Sequence, residues 1–157
     1  MMRKTIIQIV CWILIFQLVG FYLGLITKAN ISPWYELLNK PIFTPPNMVF
    51  SIIWPILYVL LALAGYLLWQ YRRRSIARTA IFFYAAQIVM NWLWTPLFFY
   101  FHFIGLSFLW IIIIAGFTIT TIYLTKDKFK LISIMLIPYF IWLIFAAYLN
   151  GALWMLN

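Results

Sequence analysis

The chain has 157 residues, of which 68% are hydrophobic and only 8% are charged, and its mean hydropathy is +1.05. A soluble domain carries about 25% charged residues, so this chain could not cover a water-facing surface. We expect a single integral membrane domain over residues 1–157. The net charge of +9 does not indicate a nucleic-acid partner, because the basic residues lie at the ends of apolar runs, where they set membrane orientation.

Five apolar runs are long enough to cross a hydrocarbon core, which needs about 20 helical residues. None of them contains Asp, Glu, Lys or Arg. The first run is too long for the apolar part of a signal peptide, so we interpret it as a retained helix. The sequence therefore predicts an all-α membrane protein, a bundle of five transmembrane helices. The runs are Thr5–Ile26, Asn47–Tyr71, Thr79–Phe101, Gly105–Thr125 and Leu131–Trp154.

The basic residues are divided unequally between the two sides of this bundle. Nine lie on the side of the N-terminus, and only Lys28 and Lys40 lie on the other side. The positive-inside rule then predicts a multi-pass protein of the plasma membrane with a cytoplasmic N-terminus. The connection between the first two helices and the C-terminus would face outward.

The stretch from Trp34 to Tyr58, which spans the connection between the first two runs and the start of the second, is aromatic, rich in proline and nearly uncharged. Prolines fix the backbone in advance, and aromatic rings supply contact area with little flexibility to lose. We interpret this stretch as a rigid aromatic lid over the bundle, a feature that favours a flat apolar ligand.

Three runs carry aromatic and amide side chains at helical spacing, so that each set shares one helix face. Each set has two interpretations: a ligand pocket, or ordinary packing in which amides act as interhelical glue. Convergence of the three faces beneath the aromatic connection favours a pocket. The sets are Phe50, Trp54 and Tyr58; Gln87, Asn91, Trp94 and Phe98; and Pro138, Trp142, Phe145, Ala146 and Asn150.

Backbone signals in the runs leave alternatives open. Pro55, Pro96 and Pro138 lie inside predicted helices, where a kink opens a cavity or reflects ordinary packing. Gly20 and Gly24 form a GxxxG pattern, which serves a homodimer or an internal contact.

Few side chains in the sequence could act in acid–base catalysis or bind a metal. The two acidic residues, Glu36 and Asp127, fall on opposite predicted sides, and His102 is the single histidine. No carboxylate pair or metal-ligand cluster is expected, and the lone Cys11 excludes CxxC motifs and internal disulfides. The absence of charge inside the runs disfavours an ion-coupled transporter.

The motifs along the whole chain resemble those of the TspO/MBR family, the translocator protein or tryptophan-rich sensory protein family. The resemblance implies a five-helix bundle, often dimeric, that binds porphyrins, haem and drug-like ligands without a required cofactor. The residues that carry it are Trp34-Tyr35, Leu38, Lys40-Pro41, Phe43, Pro45-Pro46, Trp54, Leu57-Tyr58, Gln87, Asn91-Trp92, Trp94, Phe98-Phe99, Pro138-Tyr139, Trp142, Phe145-Ala146 and Leu149-Asn150.

The same resemblance implies a ligand-binding set and a chemistry. Some bacterial members degrade protoporphyrin in light, and this would make Trp54 and Trp142 the candidate catalytic residues, with no metal site. The chain departs from animal members after Leu149-Asn150, where it reads GALWMLN and lacks their cholesterol motif. The implied ligand-binding residues are Trp34, Tyr35, Trp54, Asn91, Trp94, Trp142 and Ala146.

These observations favour a membrane receptor or sensor for tetrapyrroles such as protoporphyrin IX and haem, and for drug-like hydrophobic ligands. The alternatives are a light-dependent porphyrin-degrading enzyme and a porphyrin or lipid translocator. The receptor is preferred because only tryptophan offers chemistry in this chain.

Overall fold

The computed structural model describes residues 2–157, and within that range the chain forms five long helices and no β-strand. A π-helical turn, Pro96–Tyr100, extends the third helix, whereas the segment Ile31–Tyr35 after the first helix is kinked at Ser32, whose backbone is not helical. All five are long and apolar enough to cross a membrane, so the predicted five-helix membrane bundle is confirmed. The helices are α1 (Met2–Asn30), α2 (Asn47–Gln70), α3 (Ser75–Thr95), α4 (Ile104–Thr125) and α5 (Lys130–Leu156).

The helices differ from the predicted runs mainly at their ends. α1 continues to Asn30, and α3 begins at Ser75, before the predicted Thr79. Hydropathy marks only the apolar part of a span, whereas Lys and Arg are good helix formers that continue the helix beyond it. Pro55 and Pro138 lie inside α2 and α5, which continue through them, whereas the α-helix of α3 ends at Pro96. A π-helical turn follows, in which the N–H of Phe101 donates to the Pro96 carbonyl at 3.0 Å.

Around the bundle the helices follow the order α1, α2, α5, α4, α3, and α3 closes the ring against α1. The most deeply buried large side chains, Leu61, Leu136 and Tyr139, lie on α2 and α5. Apolar side chains such as Ile112, on α4, are exposed outward. This distribution fits a bundle whose outer surface meets lipid rather than water.

The two glycines of the GxxxG pattern have different surroundings. A Cβ added at Gly20 would lie 2.5 Å from two ring carbons of Tyr58, so Gly20 lets that ring pack directly against α1. A Cβ added at Gly24 would meet nothing within 4 Å. Of the two open interpretations, Gly20 therefore serves a contact inside the bundle.

The connection between α1 and α2 is fastened to the C-terminal end of α5. The backbone N–H of Asn39 donates to the side-chain oxygen of Asn157 at 2.9 Å. The Asn157 side chain donates back to the Asn39 carbonyl at 3.1 Å. The tip of the connection is free of such contacts, since Ile42 is 96% exposed and Phe43 is 72% exposed. The connection is therefore held to the bundle at Asn39, whereas Ile42 and Phe43 at its tip pack little against it.

Candidate ligand-binding cavity

A cavity of about 580 Å³ lies inside the half of the bundle that carries the α1–α2 connection. Pockets for drug-sized ligands are about 300–1,000 Å³, so the volume suits a ligand of that size. All five helices contribute, and α4 supplies only Ile111 and Ile114. The aromatic side chains that line the cavity are Phe21, Tyr35, Phe50, Trp54, Tyr58, Trp94, Phe98, Phe99 and Trp142.

Two indole rings, Trp54 of α2 and Trp142 of α5, pack edge to face within the wall that these two helices form. The ring centroids of Trp54 and Trp142 are 6.5 Å apart, and the ring planes are nearly perpendicular at 86°. Phe50, one turn before Trp54, packs edge-on against Trp142 at 5.7 Å. The helical spacing in the sequence therefore does bring these rings to one wall. Ala146, one turn after Trp142, lines the same wall.

The wall formed by α3 is a stacked pair of rings. Trp94 and Phe98 lie one turn apart, with centroids 5.1 Å apart and planes inclined by 12°. The indole N–H groups of Trp94 and Trp142 are buried and have no hydrogen-bond partner within residues 2–157. Since these N–H groups are enclosed, the tryptophans present ring surface rather than hydrogen-bond donors to the cavity.

Asn91 and Tyr58 form the floor of the cavity, and Tyr139 supports Asn91 from behind it. The Tyr58 hydroxyl donates to the Asn91 side-chain oxygen at 3.2 Å, and the Asn91 amide nitrogen donates to the Tyr139 hydroxyl at 3.0 Å. One amide thus joins α2, α3 and α5, which is the glue role considered above. Both atoms of the Asn91 amide already have partners, so this residue shapes the floor more than it offers a free polar group.

Gln87, the other amide predicted for this face, lies one turn deeper than Asn91. It is 1% exposed, does not line the cavity, and makes no side-chain hydrogen bond within residues 2–157.

Trp34 is the one predicted ligand-binding residue that does not line the cavity. Its ring stacks on His102 in the α3–α4 connection, with centroids 4.0 Å apart and planes inclined by 19°. The chain bends at Ser32, whose φ of −102° and ψ of 136° are not helical. After this bend Tyr35 lines the cavity, whereas Trp34 packs outside it against His102. Trp34 therefore supports the wall from outside, for example through Phe98, which its ring contacts edge-on at 5.4 Å.

The seam between α1 and α2 is closed in its deeper part and open near the α1–α2 connection. The Gln17 amide donates to the Pro55 carbonyl at 2.8 Å, and Gly20 lies against Tyr58. At Gly24, by contrast, an added Cβ would meet nothing within 4 Å, and the neighbouring lining residue Phe21 is 68% exposed. The cavity therefore opens sideways along this seam, towards the region that lipid occupies.

Several lining residues were not predicted from the sequence. Gln17 is a lone amide well inside the first apolar run, the same signal that singled out Gln87 and Asn91, and it could have been found in that way. Lys28 was used only to orient the chain, yet it lines the cavity. Other polar lining residues carry no sequence signal of their own: Thr27, Asn47, Ser51 and Thr95.

The fold and the site together define a class: a multi-pass membrane protein with a ring-lined cavity in one half of a five-helix bundle. The sequence profile of the TspO/MBR family matches residues 12–155. The chain belongs to the TspO/MBR family.

Named relatives extend over most of the chain. It is 33% identical over 153 residues to the tryptophan-rich protein TspO of Archaeoglobus fulgidus, a match that covers 98% of this chain and 99% of that protein. It is 33% identical over 133 residues to the tryptophan-rich sensory protein of Cereibacter sphaeroides, a match that covers 83% of this chain and 82% of that protein. It is 31% identical over 128 residues to the translocator protein of Ovis aries, a match that covers 79% of this chain and 75% of that protein.

Proposed function

We propose that the protein is a membrane receptor or sensor that binds tetrapyrroles, such as protoporphyrin IX and haem, and drug-like hydrophobic molecules. The observation that carries this proposal is the 580 Å³ cavity, whose apolar lining includes nine aromatic side chains and whose floor amide is already hydrogen-bonded. Aromatic surfaces of this kind favour a flat, conjugated ligand that stacks on them. The names of the relatives, a sensory protein and a translocator protein, support a role in sensing or moving a ligand.

Haem would be held chiefly by stacking, since Tyr35 is the one lining residue of a usual axial-ligand type whose hydroxyl is not already donated. The lining residues include no His, Cys or Met among residues 2–157, and these side chains are the usual axial ligands together with Tyr. Of the two lining tyrosines, Tyr58 already donates its hydroxyl to Asn91. His102 lies outside the cavity, where it is stacked on Trp34. The residues present therefore suit a porphyrin ring with or without a metal.

The second candidate is light-dependent degradation of porphyrin, and the observation that favours it is the close pair formed by Trp54 and Trp142. Both indoles line the cavity, with centroids 6.5 Å apart, so a bound porphyrin excited by light would lie beside them. No acidic residue or histidine lines the cavity within residues 2–157. Because the carboxylate and imidazole groups that most often transfer protons do not line it, we place the enzyme below the receptor.

The test of the proposal is titration of the purified protein with protoporphyrin IX in darkness, followed by porphyrin absorbance and tryptophan fluorescence. Trp54→Ala and Trp142→Ala should each weaken binding about fivefold, the equivalent of about 1 kcal/mol for a lost stacking ring. Trp69→Ala is the matched control, because Trp69 is exposed beside Arg72 and does not line the cavity. Equal affinities for the parent and both cavity variants would reject this cavity as the binding site.

A further inference from the structure

Lys28 is the one cation among the described residues that line the cavity. It lies in the last turn of α1, one turn beyond Gly24 and two turns beyond Gly20, and all three residues line the cavity. Spacings of four residues place them on the same helix face. Lys28 therefore marks the mouth of the cavity, at the end where the α1–α2 seam is open.

The other basic residue at this end of the bundle is engaged elsewhere. The Lys40 ammonium donates to the carbonyls of Glu36 and Leu38, at 3.0 Å and 3.3 Å, and lies 4.8 Å from the centre of the Tyr35 ring. Lys40 does not line the cavity. The Lys28 side chain is exposed and forms no side-chain hydrogen bond or ion pair within residues 2–157.

The wall of the cavity and its mouth at Lys28 suit different parts of a ligand. The deep wall is rich in ring surface, and the residue one turn below Lys28 on the α1 face is Gly24, which has no side chain and leaves open space there. A flat apolar body fits against this face, and a negatively charged group at its edge would reach the ammonium. A carboxyl group is ionised at neutral pH, and an ion pair is screened less at the border of a low-dielectric region than in bulk water.

We propose that Lys28 is the specificity-determining residue that selects ligands with a carboxylate at one edge, by pairing with that carboxylate at the cavity mouth. This inference rests on the proposed function, because protoporphyrin IX is a flat ring with two propionate groups on one edge. It adds a preference that stacking alone does not supply, since stacked rings do not distinguish an acid from its ester.

The test compares protoporphyrin IX with its dimethyl ester, which keeps the ring and removes the charge. The measured quantity is the ratio of the two dissociation constants, determined in darkness and in the same detergent for every variant. Acid and ester partition differently into micelles, but this difference affects the ratio equally in every variant and cancels when the variants are compared. The variants are Lys28→Gln, Lys28→Arg and Lys40→Gln, the last of which removes a charge at the same end of the bundle from a residue that does not itself line the cavity.

The ratio of the ester's dissociation constant to the acid's should be about fivefold larger for the parent than for Lys28→Gln. This factor corresponds to the strength of a partly exposed ion pair. Lys28→Arg should keep the parent ratio, which also shows that the site tolerates substitution, and Lys40→Gln should keep it too. An unchanged ratio in Lys28→Gln would overturn the proposal, and an equal fall in Lys40→Gln would assign the preference to general positive charge instead. If the parent binds neither compound, the proposed function itself fails, whereas tight binding of both with no effect of Lys28 refutes only this inference.

Discussion

Replacement of Gly20 by alanine should destabilise the bundle, although alanine favours helix formation. The new Cβ would lie 2.5 Å from two ring carbons of Tyr58, whereas carbon atoms in good contact are about 3.5–4.0 Å apart, so the ring must move by roughly 1 Å. Tyr58 is buried, and its hydroxyl is hydrogen-bonded to Asn91. Overpacking of this kind costs about 1–3 kcal/mol, and weakening of the interhelical hydrogen bond adds about 0.6 kcal/mol.

Gly24→Ala is the matched control, because its Cβ would meet nothing within 4 Å. Both substitutions gain the same helix propensity, up to about 1 kcal/mol, so this contribution cancels when the two variants are compared. We expect Gly20→Ala to have a free energy of unfolding about 1–3 kcal/mol below that of Gly24→Ala.

The assay is denaturant unfolding of ligand-free protein in detergent micelles, followed by circular dichroism. Equal stability of the two variants, or a greater loss in Gly24→Ala, would refute the assignment of Gly20 to an internal contact. It would indicate instead that the glycine pair serves a contact between molecules.

Three further predictions concern chemistry, ligand range and orientation. For a receptor, the parent, Trp54→Phe and Trp142→Phe should bleach bound porphyrin in light at the rate of porphyrin in empty micelles. A faster parent rate that both variants lose while binding persists would establish the enzyme. Haem and metal-free protoporphyrin IX should bind with dissociation constants within about threefold, because stacking does not involve the iron, and a preference for haem above about tenfold would reveal an iron ligand. In a Cys11→Ser background, cysteines introduced at Met2 and Asn157 should be labelled from opposite sides of the membrane, and labelling of both from one side would contradict an odd number of spans.

The parts of the structure that the sequence predicted are those imposed by the membrane and by helix geometry. Lipid requires backbone hydrogen bonds to be satisfied within each segment, so long apolar runs identify the spans. The four-residue spacing of Trp54 and Tyr58 on α2, and of Trp142 and Ala146 on α5, was enough to place all four side chains on the cavity wall.

The parts that the sequence did not predict depend on contacts between distant segments. Trp34 and Tyr35 are neighbours in the chain, but a backbone bend at Ser32 separates their environments, and hydropathy does not register such a bend. The two glycines of GxxxG are equivalent in the sequence, yet only Gly20 lies opposite a ring of α2. Which glycine is needed follows from the register between α1 and α2, which one sequence pattern does not determine.

The central claim is that ligand occupies the cavity, and the most direct measurement is binding after the cavity has been partly filled. Ala146 is half-buried in the wall beside Trp142, so Ala146→Phe would place a ring inside the 580 Å³ space. Ala85→Phe makes the same change on an exposed face of α3. Titration with protoporphyrin IX in darkness should show affinity reduced at least about tenfold in Ala146→Phe and unchanged in Ala85→Phe. Parent-like binding by Ala146→Phe, in a protein that retains its helical content, would contradict the account.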